Sequence, residues 1–390
     1  MPKENIREIN GDSVFRTLSL VLTKACNLNC IYCYEKHNLR DKKVMDLSVA
    51  QKYIKQYMEL EDNFNGIQIE FFGGEPFLAF HLIKNIVEWF KSQKWNKPYI
   101  FLIGTNGTIL NDDIKNWLYE NRRYVTVALS IDGNKTAHNI NRSNSYDIVI
   151  KNLPFFKKYW PGQPAKMTIS DKTIPYVADS IIELEEMGLF FTANVGFEDI
   201  WGDQDEKKRL LEIYELQLSQ LVDYYLERSD LFPVSPILTA IPEYLGIPDY
   251  GKKIKKVKKR FCGAGHGMTA VDINGNNYPC HRFLPWITGK KAPTHEVNCI
   301  EAWKPEKCSQ CKLILSCPTC AGFNWEINGD DGVRTTFHCE SYKLEVLASC
   351  RLEAIKLSNS LSNLDNLSLT EKKQIKKRIE AIFDLIENGI

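Results

Sequence analysis

Apolar positions recur with two different spacings along the first half of the chain. Short runs that are continuous or alternate predict strands, and longer runs with apolar residues every three to four positions predict helices. Strands are predicted at Phe15–Leu22, Ile67–Phe72, Tyr99–Ile103, Val125–Ile131, Ala165–Ile169 and Leu189–Val195. Helices are predicted between them, near Ser48–Leu60, His81–Lys91, Asp112–Glu120, Tyr146–Tyr159 and Val177–Met187. About six βα units in series indicate an α/β fold, a partial (β/α)6 TIM-like barrel with its chemistry at the carboxyl ends of the strands.

The second half of the chain has a different pattern. An amphipathic helix is predicted over Asp205–Leu226, the pattern becomes irregular after Pro233, and Gly251–Arg260 is rich in lysine. From Cys262 onward, cysteine, glycine and proline replace long periodic segments, as in small domains held together by metals. Leu364–Ile390 is again helical by its spacing. We expect a barrel domain at residues 14–205, a helical linker at 206–255, a small cysteine-rich domain at 256–345 and C-terminal helices at 346–390.

Composition and charge exclude several classes of function. Of 390 residues, 44% are hydrophobic and 25% are charged, and 50 basic against 49 acidic side chains leave a net charge of +1. This balance is typical of a soluble globular protein and indicates no nucleic acid and no membrane as a partner. The polar segment Met1–Asp12 and the lack of an apolar run of about 18 residues predict a cytoplasmic location.

Cysteine is the most informative residue type in this sequence. Twelve cysteines in a cytoplasmic chain indicate metal or cluster ligation, because that compartment keeps disulfides reduced. Cys26, Cys30 and Cys33 form a first set, and the other nine lie between Cys262 and Cys350. A [4Fe–4S] cluster held by only three thiolates keeps one iron open for a ligand. A zinc site completed by His37, or three structural thiols, are the alternatives.

The first set and a later turn together carry a resemblance. C-x-x-x-C-x-aromatic-C, with Tyr32 as the aromatic, resembles the signature of the radical S-adenosylmethionine (SAM) superfamily, and Gly73-Gly74-Glu75-Pro76 is similar to its G-G-E-P stretch. The resemblance implies that the open iron chelates the amino and carboxylate groups of SAM, with Tyr32 near the adenine and the Gly73–Pro76 turn near the ammonium group. A reduced cluster then cleaves SAM to a 5′-deoxyadenosyl radical. Read alone, Gly73–Pro76 is equally a tight turn that caps a helix.

Further residues at strand ends are expected to line the SAM pocket by the same resemblance. They are Thr105, Asn106, Ser130 and Asp132, and each is also explained by ordinary turn chemistry. Arg142 is expected either to be an exposed arginine at a helix start or to clamp a carboxylate.

The second set of cysteines carries a second resemblance. Its spacing is Cys262, twelve residues, Gly275, four residues, Cys280, then Cys308-x-x-Cys311, five residues, Cys317-x-x-Cys320, and Cys339. This resembles the SPASM domain, a seven-cysteine extension of radical enzymes that holds two auxiliary [4Fe–4S] clusters, which makes three clusters in all. One departure is that the family usually has three residues, not two, between the counterparts of Cys317 and Cys320. Paired zinc ribbons are the alternative.

The resemblance divides these cysteines into two groups. It assigns Cys308, Cys311, Cys317 and Cys339 to a distal cluster, and Cys262, Cys280 and Cys320 to a proximal one that lacks a fourth ligand. Either Cys299 completes the proximal cluster or an open iron there binds a substrate thiolate. Otherwise Cys299 and Cys350 are buried or incidental thiols.

The substrate class is predicted from the residues around Cys280. Sulfatase maturases carry an aspartate directly after this cysteine, and here His281 follows, which argues against sulfatase maturation. Cys280-His281-Arg282-Phe283 is similar to the corresponding run in maturases of ribosomally made peptides. His281 is expected to be a catalytic base or a cluster neighbour, with a surface histidine as the alternative.

The predicted function is therefore a radical SAM/SPASM enzyme that modifies a precursor peptide, forming a thioether or another cross-link. Its expected partners are that peptide and an electron donor such as flavodoxin or ferredoxin. Because the first cluster cysteine is at position 26, we expect no N-terminal leader-binding module, and we expect the leader to bind the barrel rim, Asp205–Leu226, the Lys252–Arg260 run or a separate protein. A maturase of the sulfatase or quinohemoprotein type, and a zinc or electron-transfer protein, are the alternative functions.

Overall fold

The structure is a computed structural model that describes residues 15–35, 40–241, 260–297, 304–361 and 367–388. Its first half alternates strands and helices as predicted. The strands are β1 Phe15–Thr23, β2 Gly66–Gly73, β3 Tyr99–Thr105, β4 Val125–Leu129, β5 Ala165–Ile169 and β6 Phe191–Val195. The helices are α1 Leu47–Glu59, α2 Phe80–Lys91, α3 Asp112–Asn121, α4 Lys135–Asn141, α5 Tyr146–Tyr159, α6 Val177–Glu186 and α7 Gln204–Glu227. All but α4, which is polar and short, were predicted.

The first six strands form a curled parallel layer. The strands β1 to β4 pair in sequence order, and β5 pairs with β6. A parallel bridge between Ser130 and Lys166 joins β4 to β5, so that the two sheets continue one another. Buried apolar side chains of β1, β2 and β3 pack against α1 and α2 in the largest core cluster. The predicted partial barrel is confirmed, and its loops gather at the carboxyl ends of the strands.

The cysteine-rich region contributes strands to the same sheet. Here β7 Met268–Val271 pairs in parallel with β1, and β8 Asn277–Tyr278 pairs antiparallel with β7. The sheet order is therefore β4-β3-β2-β1-β7-β8. Sequence patterns did not predict β7, because a four-residue strand is too short to establish a period. The barrel and the cysteine-rich region are thus joined through backbone hydrogen bonds.

The C-terminal half is more helical than predicted. Short helices α8 Pro285–Thr288, α9 Glu306–Ser309 and α10 Ala321–Asn328 precede two long ones, α11 Cys339–Leu361 and α12 Leu369–Asn388. Helix α11 begins at a cysteine and runs through the boundary expected at residue 345, and it packs on α7 and α12. The expected division into four parts stays a prediction. In the part of the chain that the structure describes, no helix is long and apolar enough to span a bilayer.

Candidate active site

The loop with the first three cysteines lies at the carboxyl end of β1, against the turn that follows β2. Gly73 has a φ of +139°, and a Cβ there would lie 2.1 Å from the carbonyl oxygen of Thr23. A Cβ on Gly74 would lie 2.3 Å from the carbonyl oxygen of Ala25. Only glycine allows this approach. The backbone N–H of Glu75 then donates to the carbonyl oxygen of Ala25 at 2.8 Å, which fixes the turn beside the cysteine loop.

Glu75 is buried at the centre of this arrangement. Its Oε1 accepts hydrogen bonds from the Phe77 N–H at 3.1 Å and the Thr105 hydroxyl at 2.9 Å, and its Oε2 accepts from the Asn106 N–H at 2.8 Å. Pro76 begins the short 3-10 turn that presents the Phe77 N–H. Burial raises the pKa of Glu75 to about 7, although these hydrogen bonds oppose the shift. The site therefore holds a carboxyl group that ionises near neutral pH.

The three thiols of the loop are partly buried and close enough to influence one another. Burial raises the pKa of Cys26 to about 11 and of Cys33 to about 12, and it also raises the pKa of Cys30. The amide nitrogen of Asn106 lies 3.9 Å from the Cys26 sulfur and 2.9 Å from Oδ1 of Asn27. None of the described cysteines forms a disulfide. Among the described residues, no three His, Cys, Asp or Glu side chains converge on a single metal-ion position.

Asp132 links the cysteine loop to the opposite side of the site. Its Oδ2 accepts hydrogen bonds from the Tyr32 hydroxyl at 2.7 Å, the Arg142 Nε at 2.8 Å and the Asn141 amide at 3.2 Å. Its Oδ1 accepts from the Thr168 N–H at 3.0 Å. The carboxylate is completely buried. The sequence placed Asp132 at this strand end but did not show that it holds the aromatic residue of the cysteine motif.

Arg142 is buried, with 7% of its surface exposed, so the expectation of an exposed arginine is wrong. Its guanidinium pairs with Asp132 and lies 5.5 Å from the centre of the Tyr32 ring. The positive charge lowers the pKa of Cys30 and of Glu75, against the larger effect of burial. Arg142 thus clamps a carboxylate, and that carboxylate is the side chain of Asp132 in the protein itself. Ser130 donates its backbone N–H to the Thr105 carbonyl oxygen at 3.0 Å, which brings the ends of β3 and β4 together.

The four cysteines of the distal set line one cavity of about 900 Å³. The set consists of Cys308, Cys311, Cys317 and Cys339, the four that the resemblance assigned to the distal cluster. Each of the other three raises the pKa of Cys317, and burial brings it to about 12. The Arg334 guanidinium donates to the backbone carbonyl of Cys317 at 3.1 Å and lowers the pKa of this thiol and of Cys308. Sequence reasoning missed Arg334, because nothing local marks an arginine that approaches cysteines across 17 or more residues.

The proximal set is a separate group on the barrel side. Burial raises the pKa of Cys280, and the neighbouring Cys320 and Cys262 raise it further. Cys262 and Cys280 belong to a small apolar cluster that also contains Val297. Cys299 and His37 lie outside the described residues, as do residues 252–259 of the lysine run. Cys350 is buried in α11 among apolar residues.

His281 connects the proximal set with the barrel. Its ring stacks on Phe72 at a centroid distance of 4.2 Å and lies parallel to Tyr34 at 6.4 Å. Its Nδ1 is buried and has no hydrogen-bond partner within the described ranges. Burial lowers the pKa of His281, so the ring is neutral at pH 7. The ring is thus half-buried between aromatic side chains rather than fully exposed, and a role as base or cluster neighbour stays a prediction.

Arg282, which the sequence analysis gave no role, holds the same junction together. It is buried, and its Nη2 contacts Glu198 Oε1 and Glu326 Oε2, both at 2.9 Å. Its guanidinium covers the ring of Tyr34 at 4.3 Å. A Cβ on Gly322 would lie 2.6 Å from the Arg282 Cγ, so glycine is required there. This arginine ties the loop after β6, the first cysteine loop and α10 to one another.

Comparison with known proteins shows which families the chain is similar to. Residues 20–170 match the model of the Radical SAM superfamily. The chain is 25% identical over 240 residues to the radical SAM cyclopropyl synthase TigE of Paramaledivibacter caminithermalis, which covers 55% of the chain and 50% of TigE. It is 24% identical over 361 residues to a cysteine-type anaerobic sulfatase-maturating enzyme of Clostridium perfringens, which covers 84% of the chain and 94% of that enzyme. The match thus spans only about half the length of TigE.

Solved structures support the same fold. Native anSMEcpe with bound AdoMet superposes with a TM-score of 0.66 at 20% identity, covering 88% of this chain and 99% of that one. Streptococcus suis SuiB bound to its precursor peptide SuiA gives 0.52 at 17% identity, covering 83% and 76%. The fold implies a [4Fe–4S] cluster and SAM as cofactors, and the cysteine-rich C-terminal part is consistent with a SPASM domain. The chain therefore contains a radical SAM domain, which marks it as an enzyme, and it is similar to an anaerobic sulfatase-maturating enzyme and, over part of its length, to the cyclopropyl synthase TigE.

Proposed function

We propose that this enzyme cleaves SAM at an iron–sulfur cluster held by Cys26, Cys30 and Cys33. The 5′-deoxyadenosyl radical then modifies a ribosomally made precursor peptide in the cytoplasm. The product is a thioether or another cross-link within the peptide. The observation that carries the proposal is the meeting of three partly buried thiols with a buried carboxyl group, Glu75, at the carboxyl ends of parallel strands.

The donor set suits an iron–sulfur cluster. Soft thiolates are the ligands that such clusters prefer, and three of them keep one iron open. Burial holds these thiols in their neutral form, so ligation to iron must supply the free energy that removes their protons. When bound, the cluster supplies the electron that cleaves SAM to methionine and a 5′-deoxyadenosyl radical.

Glu75 binds the ammonium group of SAM in this proposal. Its two oxygens are held by the Phe77, Thr105 and Asn106 donors, so the carboxylate does not need to reorganise when SAM arrives. A pKa near 7 means that the neighbouring positive charge of SAM shifts the group to its ionised form.

Asp132 and Arg142 position Tyr32 beside the cofactor. The Tyr32 hydroxyl is fixed on Asp132, so the ring has one orientation, with its face toward the Arg142 guanidinium. Because Asp132 is completely buried and already accepts four hydrogen bonds, it acts as a positioning residue. Burial of this network also excludes water from the site, and a carbon radical requires that exclusion.

A peptide substrate is supported by the relatives. SuiB is bound to a precursor peptide in its structure, and TigE is a cyclopropyl synthase. Sulfatase maturation is the second candidate, because the similarity to the Clostridium enzyme extends over 94% of that enzyme. Against it, His281 follows Cys280, and its stacked ring offers no carboxylate at this position.

Anaerobic reconstitution tests the proposal. The reconstituted protein, reduced with dithionite, is expected to convert SAM to 5′-deoxyadenosine, and a cysteine-containing precursor peptide is expected to lose two hydrogens by mass spectrometry. Cys30→Ala should abolish both, whereas Cys350→Ala, which removes a thiol outside the three sets, should retain both. A zinc-bound protein that forms no 5′-deoxyadenosine would disprove the assignment. A sulfatase-derived cysteine peptide is the matched alternative substrate.

A further inference from the structure

The cavity of the distal set has an unusual border of basic side chains. Besides the four cysteines and Arg334, it is lined by Lys207, Lys307, Lys312 and Lys343, which we call the lysine rim. Only Glu340 and Glu387 supply carboxylates among its lining residues in the described ranges. The cavity is partly open to solvent, and its walls carry both the thiols and the lysines.

The lysines of the rim fall into two kinds. Lys207 pairs with Glu340, and Lys312 pairs with Asp384 at 2.5 Å, so their charges are largely compensated. Lys307 is exposed and Lys343 is half-buried, and both line the cavity beside the distal thiols. Lys307 and Lys343 therefore carry the outward positive potential of the rim.

Compensation of the thiolate charge does not by itself require a lysine rim. Arg334, which is buried among the cysteines, already supplies a fixed positive charge at the base of the cavity. Charges at an open entrance act mainly on molecules that approach from solvent, because they steer encounter and set specificity. A second groove along α7 shares Lys207 and Lys343, but Glu212, Glu215 and Glu340 also line it, so the positive charge of the rim is confined to the cavity of the distal set.

We propose that the lysine rim is the docking surface for an acidic one-electron carrier protein, which exchanges an electron with the redox group held by the distal set. This inference rests on the proposed function, because the distal thiols must hold a cluster. The step moves one electron between the carrier and that group, so one is oxidised as the other is reduced, and no bond forms or breaks. The four thiols at the base favour a carrier over an acidic leader peptide, since a peptide gains nothing from reaching them.

Binding measurements with the iron-loaded, full-length protein test the rim. The probe is recombinant flavodoxin, which is acidic, and cytochrome c, which is basic, is the control carrier. Flavodoxin is expected to bind, with an affinity that falls as salt rises, and cytochrome c is expected not to bind. Lys307→Glu combined with Lys343→Glu should weaken flavodoxin binding about tenfold or more. Lys151→Glu makes the same change of charge at one exposed position on α5. Its affinity for flavodoxin should stay within about twofold of that of the unaltered protein.

The remaining outcomes separate this inference from the proposed function. Iron content and melting temperature show whether the double variant is folded, and Lys307→Gln with Lys343→Gln is the milder replacement, for which a smaller loss is expected. If the unaltered protein forms 5′-deoxyadenosine with dithionite but binds flavodoxin equally with or without the rim charges, docking is wrong and the function stands. If it forms none, the proposed function has failed. Cytochrome c that binds the unaltered protein as tightly as flavodoxin does would also overturn the docking proposal.

Discussion

The SAM-side site and the distal cysteine site differ in how the protein supports them. Around Glu75 and Asp132, each carboxyl group accepts several hydrogen bonds from the protein, and both side chains are buried. Around the distal set, four thiols line an open cavity of about 900 Å³, with lysines at its entrance. In the first site the carboxyl groups are held by hydrogen bonds from the protein, and in the second the four thiols share one open cavity.

This difference indicates different roles. A preorganised, buried site binds a small molecule in one orientation and excludes water, as radical chemistry requires. An open site with charged borders suits exchange with a second protein. Disruption of the two regions should therefore have different consequences for SAM cleavage, substrate binding and stability.

Removal of a cysteine from each site should give the largest contrast. Cys30→Ala is expected to reduce formation of 5′-deoxyadenosine to background, because the SAM-side cluster loses one of only three thiolates. Cys339→Ala should lower iron by about four atoms per chain and keep dithionite-driven cleavage of SAM. Iron analysis and quantification of 5′-deoxyadenosine measure both. Equal loss of SAM cleavage in the two variants would contradict the division of roles.

Asp132→Asn should destabilise the protein by roughly 3–5 kcal/mol, because it leaves the Arg142 guanidinium buried without its partner. The matched control is Asp147→Asn, which removes an ion pair of the same 2.8 Å length to Lys135 on the exposed surface. That pair should contribute at most about 1 kcal/mol. Urea unfolding of the two variants gives the comparison. Similar losses in both would show that Asp132 is not a structural centre of the SAM-side site.

The sequence predicted the parts of the molecule that depend on local pattern. The strands of the barrel and the turn at Gly73 follow from hydrophobic periodicity and from glycine at a strand end, and both lie where expected. The distal set was predicted from the resemblance that the cysteine motifs carry, and its four members line one cavity. Each of these features is encoded within a short segment.

Features that depend on distant contacts were not predicted. Asp132 accepts hydrogen bonds from residues 100 positions earlier and 36 positions later, so nothing near it in the sequence indicates its partners. The short strand β7 joins β1 across some 250 residues, and its four residues carry no measurable period. The lysine rim combines α7, α9 and α11, and single lysines on exposed helices have no distinguishing pattern.

Glu75→Gln should weaken SAM binding by roughly 2 kcal/mol, about a 30-fold increase in Kd. The amide has nearly the same shape as the carboxyl group, but it cannot pair with an ammonium group, and its NH2 opposes the donors from Phe77, Thr105 or Asn106. Anaerobic calorimetry on the iron-loaded protein measures the affinity. Glu88→Gln, an exposed change on α2, is the control and should have no effect. An unchanged Kd in Glu75→Gln would remove Glu75 from the SAM site.

The smallest expected effect is on the pH dependence of SAM binding. Burial raises the pKa of Glu75 from 4.5 to about 7, so in the free protein the carboxyl group is increasingly protonated below pH 7 and ionised above it. Only the ionised form attracts an ammonium group, and the affinity should therefore rise about tenfold from pH 6 to pH 8 and level off above that range. The same titration with Glu75→Gln should be flat between pH 6 and 8, because the amide does not ionise. If the pH dependence of SAM binding persists in Glu75→Gln, it arises from another group. The buried carboxyl group would then not distinguish the SAM-side site from the distal one.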